Sequence, residues 1–374
     1  MMKKLPIMAF AAAAVIGCGI DKPADTTDDG INPPPLPDET DVCSGIEDEG
    51  FRRYCRENFD KNNDGKISRQ EAELVKTIDG NHDIKSFKGI EHFTNLETFT
   101  CTGNENVEAI DLHYNTKITE IQAEAFIGCS NMKTFIFPPN VKTIVQSPFG
   151  YCLSLTEITI PDSVEKIVGE GMFAYCPSLT AIRGKFASAD NRCMILDDIL
   201  LAFAPAGVTE FSIPEGVKSI GEYAFSCSHR LAGIIVPESV ESIGERAFED
   251  SGLTAVTIPG SVTAIGPGAF YGCEKLVSVN VPDNVTTLSE TFIKCSSLRN
   301  IVLGSGLKSI SSAFNGCSSL ESVTLKAVTP PALNYVVFNI DEQDKFVIHV
   351  PESAVDAYKA AEGWAEYAEY IRGM

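Results

Sequence analysis

A phenylalanine returns at almost constant spacing along more than half of this 374-residue chain. The series Phe126, Phe149, Phe173, Phe225, Phe248, Phe270, Phe292 and Phe314 advances in steps of 23, 24, 52, 23, 22, 22 and 22. Pro138, Pro161, Pro214, Pro237, Pro259 and Pro282 keep the same beat. Aligning Leu155–Pro161 with Leu253–Pro259 gives a template: Leu, apolar residues at +3 and +5, Pro at +6, and apolar residues at +9 and +12. The +3 and +5 side chains share one face of a short strand, because side chains alternate along a strand. Proline then ends the strand, having no N–H for a ladder. One such unit is too small to fold alone. Burying about six or seven apolar side chains contributes roughly 10–20 kcal/mol, whereas ordering about 23 backbone units costs roughly 1–2 kcal/mol each. Stacked units bury both broad faces, so the pattern demands a repeat solenoid.

One repeat is long. After Leu179 and Ile182 the next template residues are Val208, Phe211 and Ile213, a step of 29 from 179 to 208. The excess holds two apolar runs around Asp197-Asp198, which predicts a β-hairpin insertion at about 183–207 in place of that coil's return segment. The template fades after Leu320, Val323 and Leu325, so 81–325 reads as the array and 326–374 as a C-terminal cap. Within the cap, Lys345–Pro351 reads as a closing strand and Glu352–Ala361 as a helix, with Trp364 and Tyr367 following.

The amino terminus has the form of a processing segment. Lys3 and Lys4 precede an apolar run from Leu5 to Ile16. That run is too short to cross a hydrocarbon core of about 30 Å as a helix, which favours a signal peptide over a membrane span. It closes on Val15-Ile16-Gly17-Cys18, which resembles a bacterial lipobox. The resemblance implies cleavage after residue 17 and acylation of Cys18, with several acyl chains holding the protein firmly. The alternative is an ordinary secretory signal with an incidental cysteine. Residues 18–42, with Pro33-Pro34-Pro35-Leu36-Pro37, read as a disordered Pro-rich tether.

Residues 43–80 read as two helical stretches around Asp60-Lys61-Asn62-Asn63-Asp64-Gly65-Lys66-Ile67-Ser68-Arg69-Gln70-Glu71. This loop satisfies the calcium pattern D-x-[DN]-x-[DN]-G-x5-E of an EF-hand. Asp60, Asn62 and Asp64 offer side-chain oxygens, Lys66 its carbonyl, Ser68 a direct or water-bridged contact and Glu71 a bidentate carboxylate. Gly65 permits the sharp turn, and Ile67 stands where such a loop usually pairs with a second one. No second loop follows, since Ile84 and Ile90 hold the Gly and Glu positions of the candidate at Asp79. A lone loop predicts weak, extracellular-type calcium affinity, around 10⁻⁴–10⁻³ M. The plainer alternative is a metal-free helix-loop-helix joining tether to array.

From about residue 118 to 325 the repeats resemble the BspA-like, treponemal-type leucine-rich repeats, as Ser239–Phe248 illustrates. Residues 84–117 look like a less regular version, with Val107, Ile110 and Leu112. The ending Pro351–Lys359 followed by Trp364 is similar to the usual close of such proteins. The resemblance implies a leucine-rich-repeat right-handed β-solenoid, an α/β-type repeat fold, here preceded by the EF-hand-like segment. It also implies a surface-exposed protein of Gram-negative anaerobes, some relatives of which adhere to host extracellular proteins or to other bacteria.

Cys129, Cys152, Cys176, Cys273, Cys295 and Cys317 each lie three residues after a repeat Phe, where Ser228 and Ser251 stand in two other coils. A position that alternates between Cys and Ser is a slot for a small residue, which favours free buried thiols over disulfides or zinc. Cys43 and Cys55 flank the first helical stretch and are either free or paired. The five histidines are scattered, and His113, beside Asp111 and Glu108, reads as a solvated surface residue. Nucleophile elbows, phosphate loops and HExxH are missing, so the chain reads as a binding protein and not an enzyme. A net charge of −21 argues against nucleic acid as a partner.

The solvent-facing +4 position reads Ile136, Thr159, Ser212, Ile235, Thr257, Asn280, Val302 and Thr324. This stripe of Thr and aliphatic residues suits broad contact with a protein, though such residues are also simply good strand formers. The leading expectation is a lipid-anchored, outer-membrane surface protein making adhesin-type contact with host extracellular or bacterial surface proteins. The alternative is a glycan-binding accessory protein beside a nutrient-uptake system.

Overall fold

The computed structural model describes residues 41–80, 83–338 and 346–374. The signal peptide, Cys18 and nearly all of the tether lie outside the described residues. The repeats form stacked coils with three sides each. A strand such as Thr134–Ile136 makes the first side, one such as Thr143–Val145 the second, and the turn around the repeat Phe the third. The template places them. In Thr134–Ile136 the +3 residue Phe135 is buried, while its neighbours on both sides face solvent.

In the C-terminal half the first side is an eight-stranded parallel sheet. It runs through Glu210–Ser212, Gly233–Ile235, Ala255–Thr257, Ser278–Asn280, Asn300–Leu303, Ser322–Leu325, Val347–Val350 and Ile371–Gly373. The register matches like with like, as in Val279 opposite Ile301 and Ile301 opposite Val323. On the third side the Phe225 amide donates to the Ala247 carbonyl at 2.7 Å, Phe248 to Ala269 at 2.8 Å and Phe270 to Thr291 at 2.9 Å. This regular spacing stacks the rings. From Phe225 through Phe248, Phe270, Phe292 and Phe314 to Phe338, successive centroids are 5.0–5.8 Å apart with interplanar angles of 16° or less.

The two apolar runs around Asp197-Asp198 form an antiparallel pair, Cys193–Leu196 with Ile199–Phe203. Both turn residues have left-handed backbones, φ 50° and 62°. The second strand of the pair takes its place in the second side, where Ile199 and Leu200 run parallel to Ser219 and Ile220. Its side chains are buried in both cores. Leu200 and Phe203 join the C-terminal core, while Leu201, Ala202 and Ala204 join the N-terminal one. Phe203 lies 4.7 Å from Phe225, extending the ring column where the template lacks a phenylalanine.

Coil stacking does not stop where the template fades at Leu325. Ala332–Asn334 pairs with Ser309–Ser311, and Val347–Val350 continues the first side. The strand predicted from Lys345 is thus observed over Val347–Val350. Tyr358, in the short helix Val355–Ala360, donates its hydroxyl to the Ala327 carbonyl at 2.8 Å. The Trp364 indole donates to the Pro331 carbonyl at 2.7 Å, so both rings close the core end with their polar atoms satisfied.

At the other end, helix α1 (Glu49–Phe59) and helix α2 (Arg69–Leu74) precede a strand Thr77–Asp79, already paired with Thr98–Thr100. Coils here turn on buried asparagines. The Asn104 amide donates to the Ile84 carbonyl at 2.9 Å, and Asn115 donates to those of Ile90 and Phe93 at 3.1 and 3.3 Å.

Candidate functional site

Strand register brings the predicted stripe into one row on the first side. Ser212 stands opposite Ile235, Thr257 opposite Asn280, Asn280 opposite Val302 and Val302 opposite Thr324. The row continues through His349 to Arg372. Toward the N-terminus Ile136 faces Asp111, and Thr159 faces Arg183. All eight predicted side chains face outward. Ile235 is 67% exposed, against 49% for Ile136.

Around Ile235 the face is hollow. Ala232, Gly233 and Ala255 carry little or no side chain, leaving a groove of about 490 Å³ between Glu210, Phe211 and Ser212 on one rim and Thr254 to Thr257 on the other. Phe211 is half-buried, so ring surface reaches the groove wall. The hollow is a consequence of sequence at three adjacent positions. It presents apolar surface beside the polar side chains of Glu210, Ser212, Thr254 and Thr257, and it holds no convergent acid–base pair.

The Asp60–Glu71 loop is folded by its own polar groups. Asp60 accepts from the amides of Asp64 and Gly65 at 3.2 and 2.8 Å, Asn62 accepts from Asp64 at 2.9 Å, and Asp64 accepts from Lys66 at 2.9 Å. Asn63 and Gly65 take left-handed backbones, φ 60° and 80°. Glu71 caps α2 together with Ser68, accepting from the Ser68 amide and hydroxyl at 2.9 and 2.8 Å. Its other oxygen accepts from the amides of Lys61 and Asn62 at 2.8 and 3.3 Å. Burial raises the Glu71 pKa, but these hydrogen bonds outweigh it and hold the carboxyl below the usual glutamate range. The position of a partner loop is taken by the chain just before α1. The Val42 amide donates to the Ile67 carbonyl at 2.8 Å, and the Ile67 amide donates to the Asp41 carboxylate at 3.0 Å.

The oxygen donors suit calcium by type. Yet among the described residues no three His, Cys, Asp or Glu side chains converge on one point, so Glu71 does not stand with Asp60 and Asp64 around a cation position. In this conformation one Glu71 oxygen is engaged by the Lys61 and Asn62 amides.

Cys129, Cys152, Cys176, Cys273 and Cys295 are free thiols, as are Cys43 and Cys55. They do more than fill space. Each thiol from Cys152, Cys176, Cys273, Cys295 and Cys317 donates to the carbonyl of the repeat Phe one coil earlier, at 3.1–3.3 Å. Burial pushes the Cys176, Cys273 and Cys317 thiols up to about 12, far from the thiolate form that metals and nucleophilic chemistry need. His113 is exposed and lies 2.6 Å from Asp111, with its ring against Tyr114.

The sequence reading missed a cluster on the third side. Tyr151 and Tyr175 stack at 4.3 Å and 8°. The Tyr175 hydroxyl donates to Glu249, a carboxylate only 3% exposed, which also pairs with Arg246 at 2.6 Å. Burial, then the Glu249 carboxylate, raises the Tyr175 phenol. The signal was a Tyr two residues after Phe in two successive repeats, whereas Glu249 lies 74 residues away in sequence.

No curated protein matches the chain. Among solved structures, the pneumococcal vaccine antigen PcpA is similar at 19% identity, covering 80% of this chain and 77% of that one, with a TM-score of 0.54. A leucine-rich repeat protein from Eubacterium ventriosum is 22% identical over 69% of this chain and 80% of that one, with a TM-score of 0.49. A leucine-rich cell surface protein from Faecalibacterium prausnitzii is 20% identical over 80% and 78%, with a TM-score of 0.43. The PcpA match concerns the fold alone. A family model, the BspA type leucine-rich repeat region, matches six copies over residues 79–183 and 201–321. The solenoid carries this family's repeat through most of its length, and the chain belongs to the BspA-type leucine-rich repeat family.

Proposed function

We propose that the chain is a lipid-anchored, surface-displayed binding protein that contacts host extracellular or bacterial surface proteins through its first side. The observation that carries this reading is the groove at Ile235, where Ala232, Gly233 and Ala255 leave a hollow between polar and apolar rim residues of the outward row. A shallow sheet face of this kind suits a protein partner with a protruding apolar side chain, and it lacks the acid–base pairing that catalysis needs. Membrane attachment rests on the Cys18 lipobox; among the described residues no helix is long and apolar enough to cross a membrane. The glycan reading is weaker on this side, because the row from Ile136 to Thr324 presents no aromatic ring for a sugar to stack on.

Lipid-free protein should bind at least one member of an immobilised panel of extracellular-matrix proteins in a surface plasmon resonance experiment. Ile235→Glu should weaken that binding at least about tenfold, the loss of one small hot spot, with an unchanged melting temperature. A panel with no binder, or equal binding by the variant, sinks the proposal.

The Asp60–Glu71 loop binds calcium in this reading, with Asp60, Asn62, Asp64, the Lys66 carbonyl and Glu71 as its donors and Ser68 as a direct or water-bridged contact. Calcium there would supply charge neutralisation and stiffening next to the membrane tether, through Ile67 and Val42. At a dissociation constant of about 10⁻⁴–10⁻³ M, 10 mM calcium should stabilise the segment by about 1.4–2.7 kcal/mol. Calorimetric titration showing no heat, together with an unshifted melt, would remove the claim.

A further inference from the structure

Two fully buried residues near the N-terminal end of the array, Cys101 and Cys129, bring their sulfurs to 3.4 Å. The repeat explains the meeting. In a regular coil the repeat Phe amide donates to the residue just before the next repeat Phe, as Phe126 does to Pro148 at 2.9 Å. The Cys101 amide donates to the Ala125 carbonyl, also at 2.9 Å, so Cys101 stands at the phenylalanine place of its coil. Phe99 supplies the ring instead, 5.8 Å from Phe126. Cys129 holds the small-residue slot one coil later. Its thiol donates to the Cys101 carbonyl at 3.2 Å, as Cys152 does to the Phe126 carbonyl at 3.3 Å. Where Cys152 faces a phenylalanine, Cys129 faces a second sulfur.

Backbone geometry suits a covalent link here. Neighbouring coils stack about 4.8 Å apart, and a disulfide spans Cα atoms about 4.4–6.8 Å apart. Closing the contact to a bond of about 2.05 Å moves each sulfur by roughly 0.7 Å, a small side-chain rotation. Amide-to-carbonyl bonds from Cys101 to Ala125 and from Gly103 to Ile127, at 2.9 and 2.7 Å, hold the two coils in this register. The Cys129 thiol and burial together raise the Cys101 thiol well above its usual pKa. Once folded, the pair is therefore shut off from solvent and kept from the thiolate form, so it reacts while the coils are still open.

We propose that Cys101 and Cys129 are a disulfide site, joined when the chain folds outside the reducing cytosol. The oxidant is a disulfide donor of the thiol–disulfide exchange class. One cysteine thiolate attacks a donor sulfur, expels one donor thiol and forms a mixed disulfide. The second cysteine then attacks its neighbour's sulfur and expels the other donor thiol. Two protons and two electrons pass to the donor, whose disulfide becomes two thiols. The new bond ties the coil that follows Thr98–Thr100 to the next one, close to helices α1 and α2. Terminal coils lack one stacking neighbour, and this is the end that a membrane tether loads. The setting rests on the export reading proposed above, because a cytosolic chain keeps both thiols reduced.

The test refolds the lipid-free chain from urea with oxidised and reduced glutathione, alkylates it with iodoacetamide in denaturant and maps its peptides by mass spectrometry. A peptide pair linking Cys101 to Cys129 should be the main form and should vanish with dithiothreitol, while Cys152, Cys273 and Cys295 are recovered alkylated. The oxidised protein should melt at least about 3 °C above the reduced one, as expected for joining residues 28 apart. Cys129→Ser keeps a small residue in the slot and should abolish both the link and the melting difference. Recovery of Cys101 and Cys129 as alkylated or glutathione-capped residues overturns the proposal, as does a Cys129–Cys152 link in its place. The same map on protein alkylated in intact cells separates the two readings. A pair that links on refolding yet is reduced in cells supports the site and contradicts export.

Discussion

The slot three residues after the repeat Phe shows how one position serves both packing and hydrogen bonding. Its occupant must be small, must be buried, and gains from donating to a carbonyl one coil away. Cysteine meets all three conditions; serine meets the first two, with Ser251 3.2 Å from the Cys273 sulfur and the buried Ser228 hydroxyl left without a hydrogen-bond partner. Cys295→Ser should therefore cost less than about 1 kcal/mol, whereas Cys295→Leu should cost about 1–3 kcal/mol through overpacking. Urea midpoints of the two variants check this. Phe270 is fully buried between Phe248 and Phe292, so Phe270→Ala should cost about 3–5 kcal/mol by the same assay. The small-residue slot was readable from Cys–Ser alternation. The thiol-to-carbonyl bonds were not, because they depend on coil spacing, and Cys101, 3.4 Å from Cys129, escaped the template altogether.

Among the elements, the hairpin at Cys193–Phe203 and the loop at Asp60–Glu71 stand out from the array. The hairpin turn places two aspartates in left-handed backbone, where Asn-Gly is the preferred pair. Asp198→Gly relieves one of them at the expense of an exposed Lys218 contact at 3.5 Å, worth little in water. Its thermal midpoint should match or exceed that of wild type. At the loop, Glu71 has a folded pKa below its unfolded value, so its contribution to stability is full above about pH 4.3. That contribution is lost as pH falls through the lower folded pKa. Glu71→Gln should flatten this acid-side slope, measured as local amide exchange in α2 between neutral and acid pH. Two apolar runs flanking a pair of turn residues made the hairpin legible. What the runs do not show is that the second strand is buried on both faces, which only the neighbouring coils create. Likewise the motif gave the loop's residues, but not that Glu71 would be engaged by backbone amides or that Asp41 and Val42 would take the partner's place.

Across the whole molecule, the Phe and Pro beats carry most of the fold, because a repeat with one geometry per coil converts spacing directly into register. The irregular ends obey the same stacking with different residues, Asn104 and Asn115 at one end, Tyr358 and Trp364 at the other, and so evade a template. The first-side row was legible as a line of outward positions. Its groove was not, since Ala232, Gly233 and Ala255 become adjacent only across two coils. This hollow is central to the functional account, and Gly233 allows it to be tested cleanly. A Cβ built there meets only the Glu210 side chain, at 3.6 Å, an ordinary contact. Gly233→Val therefore puts a strand-favouring side chain into the groove without strain. The decisive measurement is binding of Gly233→Val to the matrix protein that wild type recognises, with melting recorded on the same sample. The account predicts equal or higher thermal stability and at least about tenfold weaker binding. Wild-type affinity in a groove filled this way would contradict it.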